Sequence, residues 1–325
     1  MAFDFNYFEK EIAALDERID ELKRRAAEDN NARAAREAER LEADRDRLLQ
    51  EIVVRWGPWE KTLVARHPKR PYCLDYIRLI FDEFVELHGD RRFGDDKAIV
   101  SGVARCEDMR AVVLGQQKGR DLQERQLRNF GMSKPEGYRK AMRLMSMAEK
   151  FRLPIISLVD TPAADPGVES EERGISEAIA ESMMVMFSLT VPVIVVIVGE
   201  GGSGGAIGIA AGNRICMLEH SVYSVIPPEG CAAILWRDPT KSAEAAESLK
   251  LTADSAKDLG IIDQIIPEPL GGAHRDYNFI ASSVKRAILE SYEQLRKMSP
   301  EEIRDHRYNR FRSLGRYLEA SPAKS

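Results

Sequence analysis

The chain has 325 residues and a mass of 36.6 kDa; 44% of its residues are hydrophobic and 31% charged, which supports a large core and argues against disorder. Lys and Arg number 48 against 53 Asp and Glu, a net charge of −5, so bulk charge gives no support to a nucleic-acid binder held by phosphate attraction. Cys73, Cys106, Cys216 and Cys231 form no CxxC pair, which argues against a zinc ribbon or a disulfide scaffold on this chain and for reduced thiols in a cytosolic protein.

Residues 1–50 carry 14 acidic and 10 basic side chains. Ile12, Leu15, Ile19 and Leu22 follow 3-4-3 spacing, and Leu41 and Leu48 lie seven apart, so two amphipathic helices are expected around a break at Asp29-Asn30-Asn31. Their charge reads as a solvated face or a docking arm. Trp56 to Trp59 marks a second break. Arg66 to Tyr72 is a basic, proline-rich connector, either an exposed linker or a segment that meets an anion.

Beyond the connector, the pattern predicts a helix over Leu74–Leu87 and strands over Ala98–Ala104 and Ala111–Leu114. Ser133-Lys134-Pro135-Glu136 reads as a capping box opening a helix that runs to Phe151, with its methionines as core filler. Pro154–Val159 is an apolar strand, Glu171–Leu189 a helix, and Val191–Val198 a strand apolar on both faces. The most apolar window, Met183–Val198, holds Ser188, Thr190 and Pro192 and is short of the about 20 clean residues of a membrane span. Short strands follow at Ile215–Leu218 and Val222–Ile226, a helix from Pro228 to Trp236, a helix at Ala256–Leu259 and a strand at Ile261–Ile266. Helices are expected from Tyr277 to Met298 and from Pro300 to Leu314, with Ser321–Ser325 fraying. The alternation implies an α/β layered core with a largely parallel sheet.

Gly199-Glu200-Gly201-Gly202-Ser203-Gly204-Gly205-Ala206 is the most informative stretch. Five glycines in seven residues allow positive φ and close approach to the main chain at a helix start whose first N–H groups have no internal partner. Such a turn suits an oxyanion. No Lys follows Gly204, so a P-loop is ruled out. Gly199, Gly201 and Gly204 spell GxGxxG with Glu219 downstream, but Gly212 leaves too short a helix for a dinucleotide-binding crossover. Gly201, Ser203 and Gly205 also spell GxSxG, with Asp263 and His274 in hydrolase order, which keeps a serine hydrolase as the alternative. The loop Asp160 to Gly167 follows a neighbouring strand and is expected at the same sheet edge, where ligands bind. Glu171 and Glu172 either serve that site or favour a helix dipole. Lys118 and Arg120, in a third loop, either meet an anion or are solvated.

Several strings occur together: Arg70-Pro71-Tyr72, Asp95 to Ala98, Gln117 to Arg120, Asn129 to Met132, Pro135 to Ala141, Gly199 to Ala206 and Ile266 to Arg275. Over nearly its whole length the chain resembles the alpha subunits of bacterial and plastid acetyl-CoA carboxylase carboxyltransferases. The resemblance implies an α/β, crotonase-like (ClpP/crotonase) core of repeated ββα units over 66–275, with N-terminal helices over 1–65 and C-terminal helices and tail over 276–325. It implies a cytoplasmic transferase in an α2β2 complex with a zinc-ribbon beta subunit, served by a biotin carboxyl carrier protein and a biotin carboxylase. Carboxyl transfer from carboxybiotin to acetyl-CoA would give malonyl-CoA for fatty acid synthesis.

The resemblance also assigns residues. The backbone N–H groups of Gly204 and Gly205 would form the oxyanion hole for biotin, with Gly201, Gly202, Ser203, Ala163, Ala164, Asp165, Lys118 and Arg120 around the substrate and no metal on this chain. The freed biotin anion would take the acetyl-CoA proton, so no side-chain base is required. One departure stands out: the family's Gly-Ala-Tyr is replaced by Ala163-Ala164-Asp165. Restoring that tripeptide is expected to change the kinetics.

Overall fold

A computed structural model of the chain describes residues 6–315, so the expectation for Ser321–Ser325 falls outside the described residues. Two long helices open it, α1 (Asn6–Glu28) and α2 (Ala32–Val53), with Asn31 Oδ1 capping the second by accepting from the N–H of Arg33 and Ala34. Ile12, Ile19, Leu22 and Leu49 are buried, and the hairpin is tied across by Lys23–Glu42 and to later chain by Asp16–Arg275.

Then come α3 (Pro58–Ala65), α4 (Cys73–Ile80) and β1 (Glu83–Glu86). The expected helix over Leu74–Leu87 is therefore only half right. The chain turns extended at Phe81, and Asp82 N donates to Arg105 O, starting an edge strand antiparallel to the next one. β2 (Ile99–Cys106) and β3 (Met109–Gln116) form a hairpin on a turn in which Glu107 has φ 54°.

Helices α5 (Leu122–Leu127) and α6 (Pro135–Phe151) lead to β4 (Ile155–Thr161). The expected capping box does not form. Lys134 occupies the N-cap, and its N–H donates to Asp96 Oδ2, so a distant carboxylate supplies the negative charge that a helix start favours. The helix over Glu171–Leu189 is divided into α7 (Val168–Glu172) and α8 (Ile175–Ser188) by Gly174 at φ 77°.

β5 (Val193–Gly202) is buried along its whole length, as its β-branched run demands. It runs past the expected end at Val198, because Glu200, Gly201 and Gly202 pair with a later strand. After α9 (Ser203–Ile207) come β6 (Arg214–Leu218), β7 (Val222–Ser224), α10 (Pro228–Trp236) and α11 (Ser242–Leu249), the last without a sequence expectation. The chain closes with α12 (Ala253–Asp258), β8 (Gln264–Ile266), α13 (Tyr277–Leu295) and α14 (Pro300–Arg312).

The sheet order is β1-β2-β3-β4-β5-β6-β8, with β7 beside the end of β5; pairings from β3 onward are parallel. One apolar layer packs α6 and α8 on one face, and a second packs α4 and α13 on the other. Arg307 of α14 is fully buried and donates to the carbonyls of Met186, Leu189 and Val191, which locks the C-terminal helix to the α8–β5 junction. No helix among the described residues is long and apolar enough to cross a membrane.

Candidate functional site

Parallel pairing of β3, β4 and β5 brings their C-terminal ends to one sheet edge. The loops leaving them meet there. Gly202 and Gly205 carry no side chain because there is no room for one: a Cβ on Gly202 would lie on the Pro162 carbonyl, and one on Gly205 on the backbone of Ala163 and Ala164. The expectation that these glycines supply positive φ is corrected. In the turn it is Ser203 that adopts φ 50°, and the glycines serve close approach.

No side chain caps α9. Gly204 O accepts from Gly208 N at 3.3 Å, so the N–H of Gly205, antiparallel to that carbonyl across a trans peptide, points out of the helix start. Gly205 O accepts from Gln116 Nε2 at 2.7 Å and from Tyr138 OH at 3.2 Å. Gln116 Oε1 accepts in turn from Asp160 N. This buried clamp on the turn is invisible in the local sequence; only the strand-end position of Gln116 hints at it.

Gly204 is half-buried and lines a cavity of about 460 Å³ walled by Ile207, Tyr223, Val225 and Phe311, with Ser203 beside it. A separate cavity of about 900 Å³ lies between α6 and α8 and shares no residue with these loops.

Lys118 is not a solvated loop residue. Its Nζ sits 2.7 Å from both Asp160 Oδ1 and Glu200 Oε2, and Arg66 Nε donates to Glu200 Oε1 at 2.6 Å. Burial alone would raise the Glu200 carboxyl, but the charges of Lys118 and Arg66 outweigh it and hold it down at about 2. Burial raises the Asp160 carboxyl in spite of Lys118. Arg120 pairs with Asp75, donates to the carbonyls of Pro68 and Arg70, and covers the Tyr72 ring at 4.1 Å. The basic connector is thus neither an exposed linker nor an open anion trap: Arg70 is fully buried against Glu268.

Asp165 folds away from the turn. Its carboxylate accepts from Asn129 Nδ2 at 2.9 Å and Ser170 Oγ at 2.5 Å, while its N–H donates to Ser133 O. Burial would raise this carboxyl, but the bonds from Ser170 and Asn129 lower it. A lowered carboxyl contributes stability that is present above its unfolded pKa and is lost as pH falls through the folded value. Asp165→Ala is expected to cost about 1–2 kcal/mol at pH 7 and less in acid, checked by urea unfolding at both pH values. Ala163 and Ala164 place only backbone and methyl groups beside Gly205. Glu171 lies in the first turn of α7.

The hydrolase triad does not assemble. Asp263 Oδ2 accepts from Ile215 N and Arg310 Nε, and His274 stacks on His67 at 3.8 Å beside a different cavity, under the N-terminal hairpin. The dinucleotide reading is excluded too, since α9 has five residues and Glu219 accepts from Glu268 N. All four cysteines are buried and unpaired, and the described residues hold no group of three or more His, Cys, Asp or Glu fit for a metal ion.

Residues 5–315 match a family described as acetyl co-enzyme A carboxylase carboxyltransferase-like. Proteins named acetyl-coenzyme A carboxylase carboxyl transferase subunit alpha are 52% identical in Geobacter metallireducens, over 96% of this chain and 98% of that one, and 52% identical in Bordetella avium, over 97% and 98%. Among solved structures, the transcarboxylase 12S core is similar with a TM-score of 0.57 at 18% identity, over 79% of this chain and 44% of that one. A Pseudomonas malonate decarboxylase hetero-tetramer gives 0.56 at 18%, over 68% and 89%. The fold is the α/β, crotonase-like one that these structures share.

Proposed function

The chain belongs to the acetyl co-enzyme A carboxylase carboxyltransferase-like family, and from that membership we propose that it is the alpha half of a carboxyltransferase that moves a carboxyl group from carboxybiotin to acetyl-CoA. The product is malonyl-CoA, for fatty acid synthesis. The beta subunit completes the enzyme, a biotin carboxyl carrier protein and a biotin carboxylase supply it, and the assembly works in the cytoplasm. Residues 66–275 form the transferase core, flanked by the helical segments 1–65 and 276–325.

The observation that carries this reading is an uncapped helix start placed at an open cavity and pinned from behind by Gln116 and Tyr138. Carboxybiotin, when bound, would supply the carboxyl group and leave negative charge on the ureido oxygen. Gly204 and Gly205 N–H groups stabilise that charge as it develops, and their fixed peptide planes need no reorganisation. The apolar side chains of Ile207, Tyr223 and Phe311 offer a bicyclic ring an apolar wall. Gly201 and Gly202 hold the strand end beneath the turn. Lys118, locked between Asp160 and Glu200, ties its loop to the ends of β4 and β5. Ala163, Ala164 and Asp165 shape the second loop, and Arg120 holds the connector beside it.

Ser203 has no nucleophilic role in this scheme. Ser203→Ala, assayed with the beta subunit, is expected to keep malonyl-CoA formation within a few fold. Loss by several orders of magnitude, together with an esterase activity lost in the same variant, would favour a hydrolase.

A further inference from the structure

A second, smaller cavity of about 190 Å³ opens beside the same strand ends, walled by Tyr72, Phe130 and Pro162. Lys118, Arg66 and Glu200 also line it, but these charges already answer one another: Lys118 lies between Asp160 and Glu200, and Arg66 between Glu200 and Glu229. Arg125, on the same lining, differs. Its Nε donates to Gly119 O at 3.4 Å, and among the described residues no carboxylate stands within ion-pair distance of its guanidinium.

The second observation is backbone strain. Asn129, Phe130 and Gly131 have φ of 45°, 57° and 81°, a left-handed run that a bulky aromatic residue rarely joins. The run keeps Phe130 44% exposed. It is held by Asn129 Nδ2, which donates to Met132 O and Asp165 Oδ1, and by Thr161 Oγ1, 2.7 Å from Gly131 O. Asp165 thus braces the turn that presents an exposed ring at this cavity.

We propose that the cavity is a subsite for a ligand bearing one carboxylate beside an apolar part. The apolar part lies against Phe130, and the carboxylate takes the outer N–H groups of Arg125. A monoanion fits better than a phosphate, because a single uncompensated cation stands near the carboxylates of Glu200 and Asp160. Two carboxylates of the proposed reaction meet this description, one on the ureido ring before transfer and one on the acyl product after it. The choice of source rests on the proposed carboxyl transfer; the anion subsite does not.

The test uses the full chain co-purified with its beta subunit, and benzoate as probe. Calorimetry is expected to show saturable benzoate binding that R125M and F130A each weaken by about tenfold or more, that R125K largely restores, and that benzamide does not reproduce. Absence of saturable binding, or binding indifferent to R125M, overturns the subsite. Competition kinetics then assign the source. Benzoate competing with malonyl-CoA marks the acyl carboxylate, and competing with the carboxylated carrier marks the ring carboxylate. Competition with neither overturns the subsite's place in the reaction, while the Ser203→Ala assay judges the proposed function independently.

Discussion

Gly205→Ala is expected to lower kcat for malonyl-CoA formation by about 10²–10³, the usual loss when one oxyanion donor is misplaced. The added methyl would meet the Ala163 carbonyl carbon and lie 2.6 Å from both Ala163 O and Ala164 N, all backbone atoms. The turn and the second loop must therefore part, and a shift of about 1 Å at reacting atoms costs roughly 10²-fold. Gly204 is the informative contrast. A methyl there meets only the flexible end of Ile179, at 3.3 Å, so Gly204→Ala folds normally. Circular dichroism and co-purification with the beta subunit check that the Gly205 variant is assembled. Unchanged kcat in an assembled Gly205→Ala enzyme would remove that peptide from the site.

Arg70→Met is expected to destabilise the fold by about 3–5 kcal/mol at pH 7, measured by urea unfolding. Arg70 is fully buried. It donates to Val198 O at 2.8 Å, just before the glycine-rich segment, to Glu268 through both terminal nitrogens, and to Ser221 Oγ. Glu268 accepts in addition from the N–H of His220 and Ala273. Removing the guanidinium leaves a buried carboxylate with hydrogen bonds but no countercharge. The pH dependence should change with it. Burial would raise the Glu268 carboxyl, but Arg70 lowers it, so its contribution exists above the unfolded carboxylate pKa and disappears as pH falls through the folded value. Without Arg70 burial prevails and the folded pKa rises, so stability is now lost as pH rises. The gap between variant and parent therefore narrows on acidification. A gap independent of pH between 7 and 4.5 would show that the ion pair is not what Arg70 contributes.

The parts of this fold that were legible in sequence are those fixed by nearest neighbours. The β-branched run ending at Val198 could only be a central strand, and two such strands in parallel had to bring their loops together. What escaped was set by partners far along the chain. Glu200 to Gly202 lack any strand signal, and they pair because β7 lies beside them. Ser133 lost its capping role to Asp96. Lys118 and Arg120 read as open cations because Asp160, Glu200 and Asp75 reach them only in the folded sheet. The division of 74–87 into helix and strand followed from the edge of β2, which Asp82 joins. The glycines stood out in the sequence for their conformational freedom, and the structure gives them another reason: crowding at Gly202 and Gly205, with the left-handed turn at Ser203.

If the Gly205 N–H holds the developing charge, the most direct measurement removes that main-chain donor and no side chain. Semisynthesis can replace the Gly204–Gly205 amide by an ester, exchanging the Gly205 N–H for an oxygen and leaving every side chain in place. Assayed as the complex with the beta subunit, the ester enzyme is predicted to lose about 10²–10³ in kcat with KM nearly unchanged. A kcat within about twofold of the amide enzyme would contradict the account, since RT ln 2 is far below the worth of a working oxyanion donor.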